Sequence, residues 1–392
     1  MKSIKALLLV AITLFTFSFN TYSQTAEPDS TKTFTFSGSV DAYFHSSLGT
    51  TNPYSATEYN PSTSFANMRG FGIGMVNFIA SYETSKAGFV ADVVFGPRGK
   101  DAVFANLYSS QGIVNQLYAF YKITDKVKLN IGQFNTFVGY EVISPTLNYH
   151  YSTSYLFSWG PFNHTGARLD FDLGSGYVAK LAVMNPTDLV EYNAFNSYTY
   201  GGQIGYTNDN GGIWLNLLYG DQDGKLEDYN LDRDGDDVAD GYSDGGTFQA
   251  DLTGGFSVTD AFYLGWNASY RTVKIKEVID GGGDIVDADD ADSRGFMGVA
   301  LYPKFTLSDA FSIGVRAEYF AVKAGYITPF GLDDDGDGNV IDVTLSANYK
   351  VGDLTFIPEI RIDKTSEDSF QNKDLEGKDM MTSINLAAVY KF

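Results

Sequence analysis

Residues Ser383–Phe392 read Ser-Ile-Asn-Leu-Ala-Ala-Val-Tyr-Lys-Phe. Ile384, Leu386, Ala388, Tyr390 and Phe392 form one apolar, aromatic set, and Ser383, Asn385, Ala387, Val389 and Lys391 lie between them. Side chains alternate across a strand, so this run is a β-strand with one greasy face that ends on an aromatic residue. At the other end of the chain, Lys2 and Lys5 precede an apolar stretch from Ala6 to Phe19. A basic start followed by about 14 apolar residues has the form of an export signal, and it is too short for a spanning helix. The small residues Thr21 and Ser23 place cleavage after Ser23, with Gln24 leading the mature chain. The expected division is therefore 1–23 signal peptide, 24–32 short periplasmic segment and 33–392 folded body.

The mature chain has no apolar run of about 18 residues, so no helix is expected to cross a bilayer. Yet 44% of the sequence is hydrophobic and 15% aromatic, with 27 Tyr and 30 Phe. These residues favour strands and membrane interfaces. Forty-one Gly against 10 Pro suit many tight turns, and the absence of Cys excludes a disulfide framework, a thiolate site and a lipid-modified cysteine. The formal charge of −21 disfavours nucleic acid as a partner, because phosphate contacts need basic patches.

Between its ends the chain repeats one rhythm: strand, long polar loop, strand, very short turn. The short turns are Glu83–Lys86, Thr124–Lys126, Gly174–Gly176, Asn208–Gly211, Thr259–Asp260, Ser308–Asp309 and Gly352–Asp353. The long loops are Ser46–Asn67, Arg98–Gln111, Gly139–Thr165, Asn185–Ser197, Asp221–Gly246, Glu277–Ser293, Gly325–Asn339 and Lys364–Lys378. About 16 strands lie between them, an even number, as a single-chain bacterial barrel requires. The expected fold is all-β: one transmembrane antiparallel up-and-down β-barrel with short periplasmic turns and long extracellular loops. Spanning β-structure must close on itself, because hydrocarbon satisfies no free backbone group.

The faces follow from the alternation. Phe34, Phe36, Val40, Ala42 and Phe44 share one side, and Thr35, Ser37, Ser39, Asp41, Tyr43 and His45 the other. Ionisable residues keep to the polar side: Asp41, Asp92, Arg168, Asp170, Asp172, Asp251 and Arg271, then Arg316, Glu318, Asp342, Glu359, Arg361 and Asp363. A midplane Arg facing lipid would cost about 2–4 kcal/mol, so that side is wet or paired. These residues are candidates to line an aqueous lumen. The alternative is that they pair across neighbouring strands and hold a plugged interior together.

With these features the chain resembles Gram-negative outer-membrane porins. The likeness is greatest to the OmpL-like β-barrel porin group, through Phe36-Ser37-Gly38-Ser39-Val40-Asp41-Ala42-Tyr43-Phe44, Ile131-Gly132-Gln133-Phe134 and the C-terminal strand. The resemblance implies passive diffusion of small hydrophilic solutes and a place among the lipid and lipopolysaccharide of the outer membrane. It also implies a terminal strand whose Tyr390 and Phe392 are read by the barrel-assembly machinery, and it admits a homotrimer. General porins fold their third external loop into the lumen as a constriction. Here that loop is Gly139–Thr165. It is aromatic rather than acidic, with Tyr149, Tyr151, Tyr155, Phe157 and Trp159 as candidate constriction residues. Such rings would stack on sugars in a saccharide channel, or would simply pack on the rim or a neighbouring subunit.

Two acidic loops have the look of weak Ca²⁺ sites. Asp333, Asp335 and Asp337 precede Gly338, but the twelfth position is Thr344 rather than the Glu of an EF-hand. Asp232, Asp234 and Asp236 form a denser, less regular cluster. No cofactor is otherwise required. His45, His150 and His164 are the only histidines, and nothing groups them into a catalytic set, so no enzyme is expected. The leading reading is a diffusion porin. Its alternatives are a selective saccharide or ion channel, and a non-channel surface barrel with Ca²⁺-binding acidic loops.

Overall fold

The computed structural model describes residues 32–55, 60–103, 112–193, 196–222, 244–275, 277–279, 285–287 and 293–392. The expected signal peptide, Asp232, Asp234 and Asp236 lie outside them. Among the described residues sixteen strands close one barrel. They are β1 Thr33–Ser47, β2 Gly70–Glu83, β3 Ala87–Phe95, β4 Val114–Thr124, β5 Val127–Asn135, β6 Asn163–Gly174, β7 Tyr177–Met184 and β8 Thr199–Asn208. The second half is β9 Gly211–Asp221, β10 Asp244–Ser257, β11 Phe262–Ile275, β12 Ser293–Ser308, β13 Phe311–Lys323, β14 Gly338–Val351, β15 Leu354–Thr365 and β16 Met380–Lys391. Each strand pairs antiparallel with its sequence neighbours, and β1 closes on β16 in a register from Ser39 opposite Lys391 to Ser47 opposite Ser383. Closure leaves no strand edge unpaired, which is what makes a β-structure tolerable in lipid.

Short turns join the strands at one end, among them Ser175 between the positive-φ Gly174 and Gly176. The longer connections gather at the other end. The first and last of these are tied together by a small sheet of Thr50–Thr51, Phe370–Asn372 and Gly377–Lys378.

The wall is turned inside out relative to a water-soluble protein. Phe71 is 92% exposed, Ile73 66% and Phe34 63%, all on the outer face. Asp41, Asn77, Arg316, Asp342 and Asp363 are buried on the inner one. A surface covered with large exposed apolar side chains would be insoluble in water but matches hydrocarbon. The packed interior lies inside the barrel, between the wall and the connections that fold into it. Tyr155, Phe296, Phe320, Phe330 and Val340 form one cluster there, and Phe65, Val94, Phe157 and Phe162 another.

Candidate functional site: a loop folded across the lumen

The segment 136–162, between β5 and β6, leaves the rim and crosses the barrel interior. Charged side chains of the far wall account for its path. At its entry the Gly139 amide donates to Asp251 Oδ1 at 3.0 Å, and Asn216 and Asn267 donate to the same carboxylate. Further on, the amides of Tyr151 and Ser152 donate to Glu359 at 3.0 and 3.2 Å. The amides of Tyr155 and Leu156 donate to Glu318 at 2.8 and 2.7 Å. Those last two open the single-turn helix α2, Tyr155–Ser158; α1 is Pro97–Ala102 in the preceding connection. The first amides of a helical turn have no partner within the turn, so a buried carboxylate is well placed to accept from them.

The carbonyls of the segment are met by arginines. Arg316 Nη1 donates to Ser152 O at 2.8 Å and to Glu141 Oε1 at 3.0 Å, while its Nε reaches Asp342 at 2.7 Å. Arg361 Nη1 donates to Thr153 O at 2.7 Å, and its other nitrogens fork onto Asp363. Arg361 also stands 3.6 Å from Asp342, so one carboxylate lies between two guanidiniums. Arg316, Glu141, Asp342, Arg361 and Asp363 are all buried. A desolvated charge holds only where partners replace its water. Here the replacement is the backbone of the inserted segment together with the opposite charges of neighbouring strands.

The aromatic residues of the segment are used in different ways. Tyr151 OH donates to Asp41 at 2.5 Å. Tyr155 is fully buried, stacks near Phe320 and donates its hydroxyl to Pro61 O. Phe157 packs on Phe65 and Phe162. Trp159 is half-buried against the cluster around Tyr155. Tyr149 is also half-buried, and its hydroxyl donates to Ser312 at 3.1 Å. A Cβ at Gly314 would overlap the Tyr149 ring, so a bare backbone there is what lets the ring lie against β13.

The remaining wall residues lie elsewhere. Asp92 is buried among Asn77, Asn115 and Gln116, which donate at 2.5, 2.7 and 3.0 Å. Arg168 pairs with Asp170 at 2.8 Å beneath the Phe134 ring, and this pair is only partly buried. Arg271 donates to Gln249 across the β10–β11 pair. Asp172 sits exposed at the end of β6 and accepts from the Gly174 amide.

Sequence reasoning did not single out Glu141 as a partner of Arg316. It also missed Arg98, at the start of α1, which donates to Ile143 O at 3.0 Å and lies 4.2 Å over the Phe65 ring. The inward asparagines that serve the wall's carboxylates were given no role either; an Asn on the polar side of the alternation, Asn77 in β2, Asn130 in β5, Asn216 in β9 and Asn267 in β11, was the available signal.

The two remaining expectations concern metal and catalysis. Asp333 accepts from the amides of Asp335 and Asp337, and Asp337 accepts from the Ala324 amide. These acids thus brace their own loop, and among the described residues no group of three or more metal-ligating side chains converges. The Ca²⁺ expectation at Asp333, Asp335 and Asp337 is therefore not supported: the carboxylates of Asp333 and Asp337 are aimed at backbone amides rather than at a common centre. His45 bonds to Asn385, His150 to Ser346 and His164 to Thr136. Asp170, close to His164 in sequence, is taken by Arg168 and Asn130.

Outside the strands, Asp188 accepts from the amides of Phe162 and Asn163 at 3.0 and 2.8 Å, anchoring the exit of the inserted segment. Burial pushes its carboxyl up to about 7.

Over residues 33–392 the sequence matches the family described as "Putative beta-barrel porin-2, OmpL-like". The chain belongs to this family. It is an outer-membrane β-barrel of the porin type. No curated protein matches this porin by sequence. Among solved structures, the anion-selective porin from Comamonas acidovorans shares its fold at a TM-score of 0.57 and 10% identity, covering 92% of this chain and 100% of that one. OmpT of Vibrio cholerae with loop L8 deleted gives 0.56 at 12% identity, covering 92% and 99%. The outer-membrane channel DcaP of Acinetobacter baumannii gives 0.54 at 12% identity, covering 94% and 99%.

Proposed function

We propose that this porin passes small hydrophilic solutes by passive diffusion, through a lumen whose width is set by the inserted segment 136–162. The observation that carries the reading is the anchoring of that segment to Asp251, Arg316, Glu318, Glu359 and Arg361, five inward residues of three strands. Five ties of this kind, each replacing water on a buried charge, hold the segment across the lumen rather than on the rim. The path left beside it is narrow, and no covalent chemistry is involved. Tyr390 and Phe392 are the residues we infer the assembly machinery to read, in a membrane of lipid and lipopolysaccharide. A homotrimer is the assembly we infer, since an OmpT of Vibrio cholerae with the same fold has a trimer form.

Planar-bilayer recording tests the reading. Small, steady conductance steps are expected, with liposomes swelling in small sugars and not in large ones. A barrel with no conductance at any voltage would overturn it and leave a non-channel surface role.

A further inference from the structure

On the short-turn side of the inserted segment the lumen widens into a cavity of about 850 Å³. Its roof is the segment itself, including Tyr149, and its walls are inward positions of β11 through β16. Three lysines occupy alternate strands there: Lys304 on β12, Lys350 on β14 and Lys391 on β16. The acids at its mouth, Asp309 and Asp353, are exposed in the turns. Glu141, the one acid deeper in, is engaged by Arg316.

Lys304 is the distinctive group. Its ammonium lies 4.9 Å from the Tyr263 ring centre and 5.8 Å from that of Tyr149, and among the described residues no carboxylate pairs with it. Aromatic faces attract a cation but do not neutralise it. The charge is therefore available to an anion, within a cleft whose low-dielectric walls strengthen the attraction. The surrounding rings supply an apolar body to the site. Tyr140 stacks on Tyr302 with 4.2 Å between centres, and its hydroxyl donates to that of Tyr263 at 3.3 Å. A cation beside ring faces suits a ligand that is charged at one end and flat and apolar at the other.

We propose that this cavity binds small aromatic carboxylates, with the carboxylate on Lys304 and the ring against Tyr149 and Tyr263. The proposal deepens the channel reading by naming a solute class, but its test does not need conductance. Benzoate binding to the full-length porin in detergent is measured by equilibrium dialysis. Saturable binding is expected, weakened about tenfold in Lys304→Gln, the scale of one lost charge-assisted hydrogen bond. Lys304→Arg is expected to retain binding. Benzyl alcohol, which lacks the charge, and acetate, which lacks the ring, are expected to bind at least tenfold more weakly. No saturable benzoate binding, equal binding by Lys304→Gln, or equal binding of acetate would overturn the proposal. A heat-modifiable electrophoretic shift like the wild type's establishes that each variant is folded. A porin silent in bilayers that still binds benzoate would sink the channel reading and leave this one standing.

Discussion

Arg316 touches more of the site than any other single side chain: Asp342, Glu141, Ser152 and Thr344 all lie within its reach. Replacing it with Met leaves Glu141 and Asp342 buried beside one guanidinium fewer. Breaking one partner of a buried pair costs about 3–5 kcal/mol. Arg316→Met is therefore expected to lower the unfolding midpoint in detergent and to loosen residues 141–152, read as faster proteolysis there. Arg316→Lys keeps the charge but loses the fork, and should fall between the two.

Asp188 carries a pH dependence of its own. Its folded pKa of about 7 stands above the ordinary value of 3.8, so the folded state favours the protonated carboxyl. The unfolded chain gives up that proton first as pH rises. Stability from this group is full below pH 4, falls between 4 and 7, and is flat above. Asp188→Asn is neutral throughout and can accept the same two amides. The difference in melting temperature, variant minus wild type, should therefore be larger at pH 8 than at pH 5.

At this scale the side of each charge was legible in the sequence, because alternation and the cost of charge in lipid leave only one face. The partners were not. Arg316 and Ser152 are separated by 164 residues, and no spacing rule reaches that far.

Among the elements, β16 shows how closure is made. The Gly38 and Phe392 backbones exchange two hydrogen bonds of 3.0 Å, and the Phe392 ring lies 6.1 and 6.3 Å from Phe36 and Phe78. Each such ring pair adds about 0.5–1.5 kcal/mol beyond burial. Phe392→Ala should thus cost about 1–3 kcal/mol and slow barrel closure, seen as a smaller heat-resistant fraction during refolding into detergent. Tyr390, two residues earlier on the same outer face, is paired with Val40 and Leu354 and should matter less.

The strands themselves were plain from the sequence, since period-two alternation and turn residues are local signals. The course of the inserted segment was not. Its aromatic residues read equally well as a stacking surface and as packing, and burial decided between these uses one ring at a time. Tyr155 and Phe157 went into clusters, while Tyr149 stayed on a cavity wall. A tyrosine in a loop carries no sequence mark of which it will do.

For the whole molecule, the question is whether the inserted segment supports the wall or only narrows it. The ladder closes without it: β1 through β16 pair in an unbroken ring, and the segment adds no strand. What it adds is the desolvated network on β13 to β15 and the clusters around Tyr155 and Phe157. Deleting residues 144–157 and bridging Ile143 to Ser158 with a short Gly linker would expose Glu318, Glu359 and Arg361 to water. Hydration repays most of the lost pairing, because a wet charge needs no partner. The lost apolar contacts are not repaid, at about 1.5–3 kcal/mol for each large side chain. The deleted porin should therefore still fold as a barrel, with a lower melting temperature. Its single-channel conductance should rise severalfold, because the element crossing the lumen is gone. Larger sugars should then enter liposomes that exclude them when the native protein is present. Unchanged conductance would mean that ions take a route the segment does not touch, along β5 to β7 past Arg168 and Asp170. Failure to form a barrel at all would mean that the segment organises the wall as it closes, and that its wall contacts precede the last strand pairing.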